Sequence, residues 1–373
     1  MIGAGVGGLT AAASFARRGV EVLLIERRPA FDIAGVGLGQ PANALRVYDT
    51  LGVLDEILAT GFCYDRMFLF DASRRLIVEH KFLLGGDRLP AFCALSRLQL
   101  HEILLGAAQR AGCSWGHGRR DPAGQGARLR AVFERSGRVF RSVGRLRRHT
   151  LYHPAARRGN GFRASALGLR RLALQSARPG YVRAMEFLHG IGSKTGAMPL
   201  GNETMYLFHI RPEAAANFAG QDHAQLLKER LAQYGSYVAD IAASLDSDSE
   251  IVYSPIEPLM LPWPWSRGRV VLGGDAAHSF APHLTQGAAM AAEDAFVLVR
   301  EALKDDVPVE QRLMRYSRKR YPRCAFVYTF SGQWLHDEQS VRSAEDLEAA
   351  RTELMRNASA RIGASDRILN EPI

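Results

Sequence analysis

Two rhythms of hydrophobic and polar positions run along this chain. Residues 9–18 form an apolar, small-residue run closed by Gly19, and 20–25 a continuous β-branched stretch ending at Glu26. These predict a helix followed by a strand. Residues 41–59 carry Leu45, Leu51, Leu54 and Leu58 on one helical stripe. Residues 66–71 and 76–82 predict a hairpin around Ala72-Ser73. Ser96 is placed to cap a helix over 97–111, with Leu100, Ile103, Leu104 and Ala107 on its buried face. Further on, 184–188, 197–200 and 204–210 predict antiparallel strands, 224–234 a helix and 251–255 another strand. Helices are expected near 288–303, 309–324 and 344–355. The class is α/β.

The most organised stretch spans residues 269–294, R-V-V-L-G-G-D-A-A-H-S-F-A-P-H-L-T-Q-G-A-A-M-A-A-E-D. It predicts a buried strand over 269–272, a break at Gly273–Gly274, Asp275, a loop with Pro282, and a small-residue helix opening at Gln286–Gly287. A strand end bearing an acid beside a tight helix N-terminus suits a ligand with hydroxyls and negative charge. At the other end of the chain, Gly3-Ala4-Gly5-Val6-Gly7-Gly8 has G-x-G-x-x-G spacing ahead of the first helix. Such glycines permit a tight turn, close approach to a pyrophosphate and close helix–strand packing, while Glu26 stands where an acid binds a ribose hydroxyl. A strand should precede Gly3, yet only Met1 and Ile2 are there. The expectation is a misassigned start codon or a product lacking its central strand.

Composition adds bounds. With 373 residues, 47% of them apolar and 23% charged, the chain matches a soluble globular protein of two domains, or of one domain with a large insertion. No apolar run reaches membrane-span length, and the absence of a basic leader argues against a signal peptide. Cys63, Cys93, Cys113 and Cys324 lack metal-ligand spacing and read as reduced thiols of a cytoplasmic protein; no metal site is expected. The net charge of +10 is local: residues 117–183 hold 17 arginines and two acids, and the remainder is net acidic.

The chain resembles the FAD-dependent aromatic-ring hydroxylases, the group A flavoprotein monooxygenases of p-hydroxybenzoate and salicylate hydroxylase type. The resemblance rests on Gly3, Gly5, Gly8 and Glu26, on G-V-G-L-G-Q-P-A-N-A-L-R at 35–46, on L-S-R-L-Q-L-H-E-I-L at 95–104, and on the G-D-A-A-H-S-F-A-P-H-L-T-Q-G run from Gly274. It implies a Rossmann-like FAD-binding domain (1–65, 86–115 and 266–330) with an inserted antiparallel-sheet substrate domain (66–85 and 184–265). A helical C-terminal segment, 331–373, would follow.

By the same resemblance Glu26 and Arg27 would serve the adenosine end of FAD, Arg97 the cofactor, Asp275 its ribityl or pyrophosphate part, and Pro282, Gly287 and Ala288 the isoalloxazine ring. Arg46 is either a flavin contact or a solvated helix residue. NADH or NADPH would reduce the flavin, and a C4a-hydroperoxide would hydroxylate a small acidic or phenolic aromatic with O2. No nucleic-acid or membrane partner is implied. His283 is the candidate catalytic residue, against a simple loop-capping role. His278 is expected to hold the Asp275 loop, and Tyr206, His209 and Trp263 either line the substrate cavity or belong to the core. Tyr316, Arg320 and Arg323 are expected to pack a helix on the FAD domain.

The family's mid-chain Asp-Gly motif is absent from 116–183. That segment reads as a nucleic-acid-binding insertion, a disordered loop, or a compensated frameshift in a GC-rich gene; the last is favoured. Permitted codons for 140–153, read one base on, spell F-D-L-S-V-G-F-D-G-I. The alternative to an active enzyme is thus an impaired remnant binding FAD weakly or not at all, and a second is another FAD-dependent oxidoreductase of the same fold.

Overall fold

The computed structural model describes residues 1–26, 37–86, 88–119, 130–132, 169–212 and 221–373. Arg27, the frameshifted motif proposed over 140–153 and most of the arginine-rich segment lie outside them.

In chain order, α1 (Val6–Ala16) leads to β1 (Leu23–Glu26), then β2 (Gly37–Pro41), α2 (Ala42–Leu51), α3 (Leu54–Thr60) and β3 (Phe62–Tyr64). The helix expected over 41–59 is therefore two, because Gly52 closes α2 in the left-handed region at φ 75°. The hairpin β4 (Arg66–Asp71) and β5 (Leu76–Lys81) follows, then β6 (Phe92–Ser96), α4 (Arg97–Arg110), β7 (Ser114–Arg119) and β8 (Arg130–Val132). Ser96 caps α4 as expected, in a capping box with Gln99.

The next strand, β9 (Leu169–Ala177), corrects the expectation for 116–183, whose last part is ordered sheet rather than a disordered or frameshifted stretch. It pairs on both edges, with β12 (Thr204–Pro212) and β13 (Val252–Ile256). Its arginines have local uses. Arg171 Nε donates to Ser254 Oγ at 3.0 Å, and beyond the strand Arg178 Nη1 donates to the Val182 carbonyl at 2.7 Å. With β10 (Met185–Gly190) and β11 (Ser193–Pro199) these strands form a seven-stranded sheet, ordered β13-β9-β12-β11-β10-β4-β5. All neighbours are antiparallel except β10 and β4, which run parallel.

Alternation sorts this sheet's two faces. Leu69 and Phe187 point into a core with Trp334, Ala358 and Ile362. Phe70 and Leu188 point the other way, onto α5 (His223–Leu231) and α6 (Tyr237–Ser244).

Among the described residues the nucleotide-type sheet is β1-β7-β8, with β1 and β7 parallel. Ile2 adds a parallel bridge to Ile25, and the Gly3 N–H donates to the Ile25 carbonyl at 2.8 Å. The expected buried strand over 269–272 is smaller than predicted. After the pair-forming β14 (Leu259–Met260) come β15 (Ser266–Arg267) and β16 (Val270–Val271), a two-residue hairpin whose valines are half-buried. Then β17 (His278–Ser279) pairs with β14.

Helices complete the chain: α7 (Gly287–Ala302), α8 (Val309–Ser340) and α9 (Ala344–Asn370). The domain boundary drawn at 330 falls inside α8, which runs through Pro322 without ending. No described helix is long and apolar enough to cross a membrane.

Candidate functional site

The glycine turn is built by contact. A Cβ at Gly8 would lie 1.9 Å from the Gly3 carbonyl oxygen, and one at Gly7 would lie 3.1 Å from the Ala291 carbonyl oxygen on α7. Gly3 holds φ 97°, which a side chain rarely adopts. Gly5, the N-cap of α1, supplies no side-chain cap, and a Cβ there would meet nothing within 4 Å. An uncapped helix N-terminus of this kind is a setting for an anion. Glu26 stands at the end of β1, and its Oε2 accepts from the Ala4 N–H at 2.8 Å.

The second half of the site is the turn before α7. Gly274 has φ 56° and donates its N–H to Asp294 Oδ2 at 2.8 Å. Asp275 follows in a 3-10 turn with its side chain exposed. Surrounding protein raises its carboxyl pKa, opposed by the charges of His278 and Arg97. Arg97, at the start of α4, therefore shares this region with Asp275. Pro282–Leu284 form another 3-10 turn, Thr285 is left-handed at φ 56°, and α7 opens at Gly287 with no side-chain cap. Gly287 and Ala288 are half-exposed, and a Cβ at Gly287 would meet nothing within 4 Å.

Behind this turn lies a buried ionic network. Arg320, 1% exposed, places Nε on Asp294 Oδ1 at 2.7 Å and Nη1 on Glu293 Oε2 at 2.6 Å. His278 Nε2 meets Asp294 Oδ2 at 2.7 Å, so His278 does tie the loop to α7 as expected. Burial opposes both charges, but their attraction prevails, raising His278 to about 10 and lowering Asp294 to about 2. His278, Asp294 and Cys324 bring potential metal ligands within 4.8 Å of one another, but Arg320 holds the carboxylate and sits 3.8 Å from the thiol. A guanidinium occupies the position a cation would need. Asn43 Nδ2 bridges Gln286 Oε1 at 3.0 Å and Glu293 Oε1 at 2.8 Å, so α2 sets the N-terminus of α7. Tyr316, Arg320 and Arg323 do form the helix face against α7, through Glu293 and the Leu272 carbonyl.

A mostly apolar cavity lies between the large sheet, the Pro282 turn and helices α8 and α9. Its wall includes Met67, Leu69, Phe92, Met185 and Phe187, with His283, Thr285 and Gln286 from the loop. Strand β2 crosses beside it: a Cβ at Gly39 would lie 2.8 Å from Thr285 Cγ2, and one at Gly37 2.7 Å from Tyr206 Cβ. That close passage explains the glycines at 37 and 39. The inner cavity encloses about 70 Å³, and an outer one of about 770 Å³ shares His189, Trp334 and Glu338 as a common wall.

Several expected residues lie elsewhere. Arg46 donates to Asn370 Oδ1 and the Leu369 carbonyl, fastening the end of α9. Tyr206 packs on Phe208, His209 Nδ1 meets Thr195 Oγ1 at 3.0 Å, and Trp263 is a surface residue beside a separate hollow. None of these three lines the inner cavity. His283 does, but it caps no loop carbonyl: its Nε2 meets Glu338 Oε2 at 2.8 Å. Glu338, Lys194, His189 and Trp334 were missed, because only the tertiary fold brings their strands and helix together.

Comparison with known proteins agrees with this layout. The FAD binding domain family matches residues 1–128 and 258–331. The chain is 28% identical over 343 residues to the putative FAD-dependent monooxygenase YetM of Bacillus subtilis, covering 89% of this chain and 91% of that protein. It is 27% identical over 352 residues to 2-heptyl-3-hydroxy-4(1H)-quinolone synthase of Pseudomonas aeruginosa, covering 89% and 88%. Klebsiella pneumoniae HpxO, solved with FAD and uric acid, superposes with TM-score 0.80 at 21% identity over 100% of this chain and 96% of that one. The fold is thus the p-hydroxybenzoate hydroxylase-like α/β fold, and the chain belongs to the FAD binding domain family, among the flavoprotein monooxygenases of aromatic-ring hydroxylase type.

Proposed function

We propose that the chain binds FAD and uses NADH or NADPH and O2 to hydroxylate a small aromatic substrate. The observation that carries this reading is the uncapped N-terminus of α7, half-exposed at Gly287–Ala288 beside an apolar cavity. The residues present suit the cofactor: space stands open at Gly3, Gly5 and Gly287, and two helix N-termini lack side-chain caps. In this assignment α1 and Gly3, Gly5 and Gly8 receive the pyrophosphate, and Glu26 and Arg27 serve the adenosine end. Arg97 and Asp275 take the ribityl–pyrophosphate part, and Pro282, Gly287 and Ala288 flank the isoalloxazine ring. Arg46 supports the site through α9.

Bound flavin supplies acceptance of hydride from the nicotinamide and activation of oxygen for transfer to an electron-rich ring. The chain's own part is to hold the substrate, exclude water and set charge near the ring. The α7 dipole favours negative charge at its N-terminus, which the reduced cofactor develops. Sheet residues such as Phe187 and Met67 supply the dry wall. Relatives are named as a quinolone synthase and a hydroxynicotinate monooxygenase, which supports an aromatic or heteroaromatic substrate. The four cysteines are all free, which suits a reducing compartment, and the cytoplasm is the proposed location.

Purified chain mixed with FAD, then desalted, should remain yellow and oxidise NADH or NADPH with oxygen uptake that an aromatic substrate stimulates. A folded protein that stays colourless at saturating FAD would instead support the impaired remnant.

A further inference from the structure

Three elements bring ionisable groups to one wall of the inner cavity. Glu338 of α8 receives Lys194 Nζ of β11 on Oε1 at 2.6 Å and His283 Nε2 on Oε2 at 2.8 Å. Their side chains are 15%, 5% and 2% exposed, so the cluster is screened from water. His189 of β10 adjoins it, with burial lowering its pKa to about 4.

The protonation states follow. Burial opposes the charge of Glu338, but the Lys194 charge and the hydrogen bond from His283 outweigh it and hold the carboxyl well below the usual range. Burial also lowers His283, and the Lys194 charge pushes the same way against the pull of Glu338. Lys194 already balances the carboxylate, so the imidazole is neutral near neutral pH. A carboxylate accepts only, which assigns the single imidazole proton to Nε2. Nδ1 is then a lone-pair acceptor, and it is buried with no partner among the described residues. Trp334, on the same wall, has a buried Nε1 donor that is likewise without a partner among the described residues. Of the charged lining residues described, Lys194 is balanced by Glu338 and the other, Asp366, is acidic.

We propose that the cavity selects a neutral aromatic bearing a phenolic O–H or ring N–H that donates to His283 Nδ1, and that it rejects aromatic carboxylates. The proposal rests on the monooxygenase reading only in naming this ligand the substrate. Lys194 and Glu338 are positioning residues: they fix which nitrogen of His283 carries the proton. An unsatisfied buried acceptor rewards a donor, whereas a carboxylate would face that lone pair and Asp366 with no free cation among the described lining groups. The inner cavity, about 70 Å³, is smaller than the ~150 Å³ that holds benzene, so a ring also needs room from the outer cavity, with which it shares His189, Trp334 and Glu338.

The test is calorimetric titration of the full chain, with FAD present, using 4-ethylphenol, its methyl ether and 4-hydroxybenzoate. The phenol should bind roughly ten-fold tighter than the ether, as one buried hydrogen bond allows, and tighter than the carboxylate by at least as much. His283→Leu should erase the phenol-over-ether preference. The charge-free pair Lys194→Met with Glu338→Gln should shrink the phenol-over-ether ratio, whereas a purely structural role would weaken phenol and ether alike. This second variant also carries the test if His283→Leu does not fold. Equal binding of phenol and ether, tighter binding of 4-hydroxybenzoate, a preference that survives His283→Leu, or no saturable binding overturns the proposal. FAD retention is read separately by absorbance. Lost retention with the preference intact defeats the monooxygenase reading alone; retained FAD without the preference defeats this one alone.

Discussion

Gly8 sits so close to Gly3 that a Cβ on it would lie 1.9 Å from the Gly3 carbonyl oxygen, and Gly3 itself needs φ 97°. The pair presses the start of α1 onto the end of the N-terminal segment, which aims the helix N-terminus. Gly5, two residues from Gly3, is different: a Cβ there meets nothing within 4 Å.

Gly8→Ala and Gly5→Ala should therefore separate packing from ligand binding. Backbone overlap cannot be relieved by rotating a side chain, so Gly8→Ala should lose roughly 2–4 kcal/mol of stability and its FAD together. Gly5→Ala should keep its melting temperature within a few degrees and still lose FAD affinity by at least ten-fold. Thermal melts and flavin titrations check both. Unchanged FAD affinity in Gly5→Ala would remove the pyrophosphate from this turn.

Arg320 holds two carboxylates at once, Glu293 and Asp294, at 2.6 and 2.7 Å. Arg320→Met should leave a buried uncompensated charge and cost roughly 3–5 kcal/mol, measured by urea unfolding. Arg320→Lys should recover only part of this, because one ammonium cannot reproduce the two-armed geometry. A near-neutral Arg320→Met would mean that Arg323, also on Glu293 at 2.9 Å, carries the network instead.

The His278–Asp294 pair sets a pH profile. His278 is raised from 6.5 to about 10, so its contribution is complete below about 6.5 and is lost as pH climbs toward 10. Asp294 is lowered from 3.8 to about 2, so its contribution is present above 3.8 and is lost as pH falls toward 2. Melting temperature should accordingly fall from neutral pH toward pH 10 in the parent chain. In His278→Gln it should start lower and lose the part of that slope due to this imidazole. Parallel slopes in the two proteins would show that His278 is not charged in the folded state.

What the sequence made legible follows from what is local. Ser96 capping α4, the G-x-G-x-x-G turn and the opening of α7 at Gln286–Gly287 depend on neighbours a few residues away, and they are legible in the sequence. Strand β9 was not, since Arg170 and Arg171 mask a Leu172-Ala173-Leu174 centre that is buried only because β12 and β13 flank it. The helix expected over 309–324 is the first half of α8, which continues to Ser340. The cluster at the cavity wall was least accessible: Lys194 and Glu338 are separated by 144 residues. A lysine in a strand and an acid near a helix end each look like solvated charges until the fold buries them together.

Lys194→Met gives the sharpest reading of that cluster. Removing the lysine removes a charge that lowers the His283 pKa and leaves Glu338, which raises it. His283 should then take up a proton near neutral pH, turning Nδ1 from an acceptor into a charged donor. The cavity's preference should reverse accordingly. 4-Ethylphenol should lose its advantage over the methyl ether, and 4-hydroxybenzoate should gain affinity by roughly ten-fold, in keeping with a charge-assisted hydrogen bond. The gain should fade as pH rises through the new His283 value, because only the imidazolium form binds the carboxylate. If 4-hydroxybenzoate binds Lys194→Met no better than the parent at any pH, Lys194 does not control the charge of His283.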